Sequence, residues 1–191
     1  CFATPGTSEM HFVAALDRAP GVRCVLGLFE GVATGAADGY ARMLDRPAVT
    51  LLHLGPGLAN GLSSLHNARR AQSPIINIIG DHASYHRRLD APLTSDIEGT
   101  ARLFSDWVRT TDSPDSVAFD VAAAIGAALM PPGRIASLIL PADTAWSPIS
   151  ERAASSTIQT LPQVSARPGD DRIDAAAGLL RSGEKTALLL G

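Results

Sequence analysis

Glu30 stands in LGLFEGVATGAADGYAR, Leu26 to Arg42, between an apolar strand and a Gly/Ala-rich run that still reads as a helix. A carboxylate at a strand end and helix start lies where α/β sheets take their ligands, outside the carboxyl ends of the strands. Leu28, Phe29 and Val32 surround it in the sequence. Such company is expected to desolvate the acid, raise its pKa and let it share a proton with a basic nitrogen near neutral pH. The alternative is an acid that only complements the dipole of the helix it begins. Gly31, Gly35 and Gly39 fall at four-residue spacing on one face of that helix. Each costs about 1 kcal/mol relative to Ala, so the stripe predicts a close neighbour, either another helix backbone or a flat ligand ring.

A second constellation, HLGPGLANG, runs from His53 to Gly61 directly after a strand and before a helix. Gly55 and Gly57 flank Pro56 in what reads as a tight turn, and the helix behind it offers free backbone N–H groups to a polar ligand. With Asn60 and Gly61 it approaches GxGxxG, but the third glycine arrives one residue late and only Asp81 is placed to act as the ribose acid, so the dinucleotide signal is weak. His82 and His86, in GDHASYHRR, follow the next strand. Their spacing would suit a metal, but no third ligand is apparent, and solvated loop residues are the plain alternative. His53 ends a strand, where it is placed to face a substrate, whereas His11 and His66 read as packing or helix-surface residues. Thr94, Ser95 and Glu98 are placed to line a polar substrate entrance, with a capping box from Ser95 to Glu98 as the alternative that explains two of them without any function.

These residues need a scaffold of repeated strand–helix units. Apolar runs bounded by Gly or Pro occur at Val25 to Leu28, Ala48 to Leu54, Pro74 to Gly80 and Ile135 to Leu140, the appearance of buried parallel strands. Helices are expected at Glu9 to Arg18 behind a Ser8 cap, at Gly31 to Leu44, at Leu58 to Ala71, and at Ser113 to Met130 with Pro114 in its first turn. The expected fold is α/β, a doubly wound, mainly parallel sheet flanked by helices. Ser, Thr, Pro and Ala dominate from Pro141 to Arg167, as in a linker; Asp170 or Asp171 then opens a helix to Arg181, and Lys185 to Leu190 reads as a buried strand starting a second α/β domain.

The 191 residues are 46% hydrophobic, with 16 basic and 19 acidic side chains. There is no basic footprint for nucleic acid or an anionic membrane, and no run long enough to span a bilayer. Cys1 and Cys24 cannot build a disulfide framework, so a reducing, cytoplasmic setting is expected. Beginning at Cys1, without Met, the chain reads as a fragment.

ATPGTSE (Ala3 to Glu9), FEGVATGAADGYAR (Phe29 to Arg42), LGPGLANG (Leu54 to Gly61), HNARRAQSPIINIIGD (His66 to Asp81) and LILPAD (Leu138 to Asp143) occur in order at natural spacing. Together they resemble the pyrimidine-binding domain of thiamine diphosphate enzymes of the acetolactate synthase, benzoylformate decarboxylase and pyruvate decarboxylase superfamily. The resemblance implies a pyrimidine-binding domain over 1–148, a linker over 149–168 and the beginning of a middle domain over 169–191, with room for FAD in the rest of that domain. It also implies that Glu30 hydrogen-bonds N1′ of the cofactor's aminopyrimidine, favouring the 4′-imino tautomer that deprotonates the thiazolium before attack on a 2-oxoacid. Pro5, Gly6, Gly55, Pro56, Gly57 and Asn60 then line the pyrimidine. His82 and His86 match decarboxylase histidines by position only, since the adjacent His-His pair is absent. Phe29 replaces the His that acetolactate synthases place before the acid, and Ala91 to Gly99 replaces their glutamine-containing segment; both departures weigh against acetolactate formation. The family's Mg²⁺ and diphosphate ligands belong to a separate domain that this chain lacks, so it is expected to hold no metal ligand and to be inactive alone. The resemblance further implies a homodimer or tetramer with the active site between subunits, the glycine stripe meeting its symmetry mate. A Rossmann-like oxidoreductase domain and a noncatalytic interaction domain of the same fold are the competing readings.

Overall fold

The computed structural model describes residues 1–155 and 167–189. Six parallel strands form one sheet: β1 (Phe2–Thr4), β2 (Val25–Leu26), β3 (Ala48–Leu52), β4 (Ile75–Asp81), β5 (Trp107–Thr110) and β6 (Ile135–Pro141), in the order β2-β1-β3-β4-β6-β5. The helices are α1 (Met10–Leu16), α2 (Glu30–Leu44), α3 (Leu54–Arg70), α4 (Ile97–Ala101), α5 (Val117–Ala128), α6 (Ala142–Trp146), α7 (Glu151–Ala154) and α8 (Asp170–Arg181). None of them is long and apolar enough to cross a membrane. The expected α/β sheet is present.

β4 and β6 are buried at every position, because the sheet is covered on both sides. Leu52, Ile75, Ile79, Ile135 and Ile139 join Leu54, Leu58 and Leu65 of α3 and Ala37 and Ala41 of α2 on one face. Leu51, Ile76, Ile78, Leu138 and Leu140 join Ala124 and Ala128 of α5 on the other. Small residues let α2 lie close to the sheet, and Asp38 anchors its middle: the carboxylate accepts from Arg42 Nε (2.8 Å) and Nη2 (2.6 Å) and from Ser73 Oγ (2.5 Å), just before β4. Burial pushes the Asp38 pKa up, but these donors outweigh it and hold the carboxyl below the usual aspartate range. Across the strands runs a buried polar ladder, Thr50 Oγ1 to Asn77 Oδ1 (2.8 Å), Asn77 Nδ2 to Ser137 Oγ (3.0 Å) and Ser137 Oγ to Ser105 Oγ (2.7 Å).

Several boundaries differ from the sequence reading, each for a local reason. Ser8 is no N-cap: a 3-10 turn, Thr7–Glu9, precedes α1, and the Glu9 side chain instead accepts the Gly6 N–H. The Gly-Pro-Gly segment is no separate turn but the opening of α3; the chain reverses at Leu54, with φ 50°, and Gly57 N–H bonds to the His53 carbonyl at 2.8 Å. Pro56 is tolerated in the first turn, where no intrahelical partner awaits its nitrogen. Asp96, not Ser95, caps α4 through Gly99 N–H (2.8 Å), while Glu98 accepts from Thr110 Oγ1 (2.6 Å). Lys185 to Leu189 form no strand, with Leu188 and Leu189 exposed; Leu190 and Gly191, like most of the linker, lie outside the described residues.

Candidate functional site

The strand order reverses at β1, whose neighbours are β2 on one side and β3 on the other, opening a crevice at the carboxyl ends where α/β sheets bind ligands. Four chain segments reach it: Pro5 to Glu9 after β1, Glu30 after β2, His53 to Asn60 after β3, and Gly80 to His86 at the end of β4.

Glu30 is the first residue of α2, placed by the crossing of α2 and α3. Thr34 Oγ1 donates to the Gly61 carbonyl (3.1 Å) and Ser64 Oγ to the Gly31 carbonyl (3.0 Å), so the two backbones are locked together. A Cβ on Gly61 would sit 2.8 Å from Thr34 Cγ2. The third glycine of the near-GxGxxG motif thus serves helix packing. It does not face a nucleotide. The lock presents Asn60 Nδ2 to Glu30 Oε2 at 3.1 Å, with Gly57 beside Oε1. Oε1 itself accepts no hydrogen bond among the described residues. The glycine stripe plays little part: Gly31 faces the ring of Phe29, Gly35 faces Ser64, and Gly39 has open space beside it. Leu28 (96% exposed), Phe29 (49%) and Val32 (61%) point to solvent, so the expected dry wall around the acid is not built by this chain.

Glu9 was read only as a first-turn helix residue, yet it is 2% exposed and organises the other half of the crevice. Its Oε2 accepts the Gly6 N–H (2.7 Å) and meets His53 Nδ1 (2.8 Å); its Oε1 is buried without a hydrogen-bond partner against Gly80. A Cβ on Gly6 would fall 2.6 Å from His53 Nε2, and one on Gly80 would overlap the Glu9 carboxylate. A glycine within an apolar strand marks such an approach, and Gly80 was the signal available in the sequence. Glu9 thus engages Nδ1 of His53, and Nε2 is the ring nitrogen it leaves over.

His82 and His86 pair with each other, ring centroids 5.3 Å apart, and line a recess of about 270 Å³ with Thr7, Ser8, Tyr85 and Trp146. Thr7 and Ser8, which lead into Glu9, form part of the recess wall, and His82 Nε2 is buried and unpartnered. Asp81, beneath them, accepts the His82 N–H (2.7 Å) and faces Arg87 Nη1 (3.5 Å); burial pushes its pKa up despite both. Gly55 lies under Ser95, whose Cβ would be 2.8 Å from an added Cβ, Pro56 is exposed, and Pro5 is half-buried ahead of Gly6. His11 and His66 pack edge-on against Trp146 and Phe104. Among the described residues, no group of three or more His, Cys, Asp or Glu is disposed to hold a metal ion.

Residues 1–101 match the family described as thiamine pyrophosphate enzyme, N-terminal TPP binding domain. The whole chain is 56% identical to IlvX of Mycobacterium tuberculosis, which carries the name of an acetolactate synthase large subunit, covering 36% of that protein. Over 143 residues it is 31% identical to benzoylformate decarboxylase of Pseudomonas aeruginosa, covering 74% of this chain and 27% of that one. In fold it superposes on the benzoylformate decarboxylase of Polynucleobacter necessarius with a TM-score of 0.79 at 25% identity, covering 94% of this chain and 33% of that one. The thiamine diphosphate-dependent 4-hydroxybenzoylformate decarboxylase of Rhodococcus jostii gives a TM-score of 0.83 at 23% identity, a likeness of fold alone, over 95% and 34% of the two chains. The chain spans about a third of the length of these relatives. Neither the nucleotide-binding oxidoreductase nor the noncatalytic domain finds support among them. A carboxylate at the crevice, held open on one oxygen, and a sheet shared with these enzymes lead to one assignment: the chain belongs to the thiamine pyrophosphate enzyme family, as its N-terminal TPP-binding domain.

Proposed function

We propose that this chain is the pyrimidine-side half of an active site that decarboxylates a 2-oxoacid, with or without carboligation, and that Glu30 is its proton-transferring acid. The observation that carries the reading is the Glu30 carboxyl, oriented by Asn60 through Oε2 while Oε1 is left without a partner beside side-chain-free Gly57. A protonatable ring nitrogen is the partner such an oxygen lacks, so these residues fit thiamine diphosphate. When bound, the cofactor supplies the nucleophilic carbon and the electron sink that 2-oxoacid decarboxylation requires.

Glu30 holds the proton at the pyrimidine edge, and Asn60 restricts the carboxyl to one orientation. Pro5, Gly6 and the first turn of α3, Gly55-Pro56-Gly57, shape the ring's surroundings. His53, its Nδ1 occupied by Glu9, offers Nε2 for proton exchange with the substrate, and His82 and His86 form a second proton-exchanging pair toward the recess. Mg²⁺ and the diphosphate fall to another domain, and FAD, where the protein carries it, to the middle domain. Exposed Leu28, Phe29 and Val32 favour an assembly of at least two subunits in which a second copy covers this face and excludes water from the acid. Phe29 before the acid and the segment Ala91–Gly99 favour decarboxylation over acetolactate formation, and the balance of charge and cysteines favours the cytoplasm.

The test is the intact protein with thiamine diphosphate and Mg²⁺ on a panel of 2-oxoacids, compared with Glu30→Gln. The variant should lose at least 10²-fold in kcat, the scale of an acid–base contribution, while still binding the cofactor. Equal turnover by both proteins refutes the assignment.

A further inference from the structure

The two cysteines, 23 positions apart in sequence, meet in the sheet. The Cys1 nitrogen donates to the Arg23 carbonyl (2.8 Å), and the Val25 N–H donates to the Cys1 carbonyl (2.8 Å). In a parallel ladder this pair of bonds brackets one residue, Cys24, as the direct partner of Cys1, one step before the registered pairs Phe2–Val25 and Ala3–Leu26. Directly paired residues on parallel strands project their side chains from the same face. Both thiols are free; Cys24 is exposed, and Cys1 lines an open recess of about 640 Å³ with Val22, Arg23 and Tyr40. Cys1 is half-buried against the Leu51–Leu138 cluster, so a small disulfide reagent meets the exposed Cys24 sulfur first.

From this juxtaposition we infer that Cys1 and Cys24 form a reversible redox pair, closing an intramolecular disulfide between β1 and β2. Neighbouring strands lie about 4.8 Å apart, inside the Cα range of a disulfide, but the Cβ atoms must close by about 1 Å from that spacing. The movement falls on β2, a two-residue edge strand exposed at both positions. A disulfide formed against such a bias is more easily reduced than a structural one, which makes it reversible. The oxidant is a low-molecular-weight disulfide. The Cys24 thiolate attacks one of its sulfurs and releases one thiolate; the Cys1 thiolate then attacks the Cys24 sulfur of the mixed disulfide and releases the second. Two protein thiols lose two protons and two electrons, and the reagent is reduced to two thiols.

The clamp would fix the strand that feeds Glu30, since only Gly27, Leu28 and Phe29 separate β2 from α2. Its formation is independent of the catalytic reading and is tested without a turnover assay. The intact protein is equilibrated in glutathione disulfide/glutathione mixtures, then mapped by mass spectrometry under non-reducing conditions. The expected product is one Cys1–Cys24 cross-linked peptide, two hydrogens lighter, lost again on excess glutathione. Exchange of the Val25 and Gly27 amides should slow about tenfold on oxidation. Cys24→Ser and Cys24→Ala, exposed substitutions, should abolish the cross-link and leave Cys1 reduced or as a glutathione adduct. Separate adducts on both cysteines of the unsubstituted protein, a cross-link between chains, or no reaction while both thiols alkylate readily would each overturn the pairing.

Discussion

Gly80→Ala tests the Glu9 arrangement more sharply than removing Glu9 itself. The added Cβ would overlap Glu9 Oε1 and lie 2.5 Å from Cδ and 2.9 Å from Cγ, so the carboxylate has to leave its place. Doing so breaks its bonds to Gly6 N–H and His53 Nδ1. Hydrogen bonds to a charged group are worth about 1.5–3 kcal/mol each, and the gain from stiffening the unfolded chain returns about 0.5–1 kcal/mol, leaving a net loss of about 3 kcal/mol. Glu9→Ala loses the same two bonds and should cost about as much. In the Glu9→Ala background, however, the Gly80 methyl meets no carboxylate and should be neutral or slightly stabilising. Urea denaturation of the four proteins, followed through Trp107 and Trp146, then gives a coupling energy of about 3 kcal/mol between positions 9 and 80. Equal cost for Gly80→Ala in both backgrounds would refute the claim that Glu9 is seated by the missing side chain of Gly80.

Gly61→Ala should cost about 1–3 kcal/mol by forcing α2 from α3, and Thr34→Ser, which removes the opposing methyl but keeps the hydroxyl, should recover most of it in thermal denaturation. Asn77→Ala leaves the Thr50 and Ser137 hydroxyls without their shared partner inside the sheet and should cost about 2–4 kcal/mol in the same measurement. Asp81 makes a pH prediction. Burial raises its folded-state pKa, so its contribution to stability is fully present below the ordinary aspartate value of 3.8 and is lost as pH rises through the raised value. Asp81→Asn should therefore gain on the unsubstituted protein as pH rises through that window, measured as unfolding free energy at successive pH values; a difference that does not change with pH contradicts the assigned burial.

What the sequence disclosed depended on whether the cause was local. β4 and β6 were legible because burial on both faces produces unbroken apolar runs, and α2 because its alanines keep helical spacing despite three glycines. β5 escaped notice: WVRT is a short edge strand, and its Arg109 turns outward to pair with Asp120 at 2.7 Å, which breaks the apolar pattern. Leu54 gave no warning of a positive φ, since a leucine takes that conformation only when the surrounding core imposes it, and Leu54 is fully buried. Glu30 and Asn60 were legible as types at a strand end, but their mutual bond depends on an α2–α3 crossing set by Thr34 and Gly61, residues that carried no chemical signal. Leu188 and Leu189 show the converse, an apolar run that reads as a strand yet stands in solvent here.

The glycines at the crevice separate two demands that a list of site residues runs together. Gly6 and Gly80 are glycine because a side chain of this chain must approach: the His53 ring in one case, the Glu9 carboxylate in the other. Gly57 differs. An alanine methyl there would meet Leu52, His53 and Glu30 only at ordinary contact distances of 3.4–3.5 Å, so packing within this chain does not require a glycine. On the proposed reading, the space it leaves beside Glu30 Oε1 is where a flat ring would reach that oxygen. Gly57→Ala should therefore leave the stability of the fold within about 1 kcal/mol of the unsubstituted protein while weakening thiamine diphosphate binding in the intact enzyme by about tenfold. Calorimetric titration of the cofactor beside thermal denaturation distinguishes the two. Unchanged affinity would mean that the ring approaches Glu30 from another side, and the Gly57 opening would lose its part in the site.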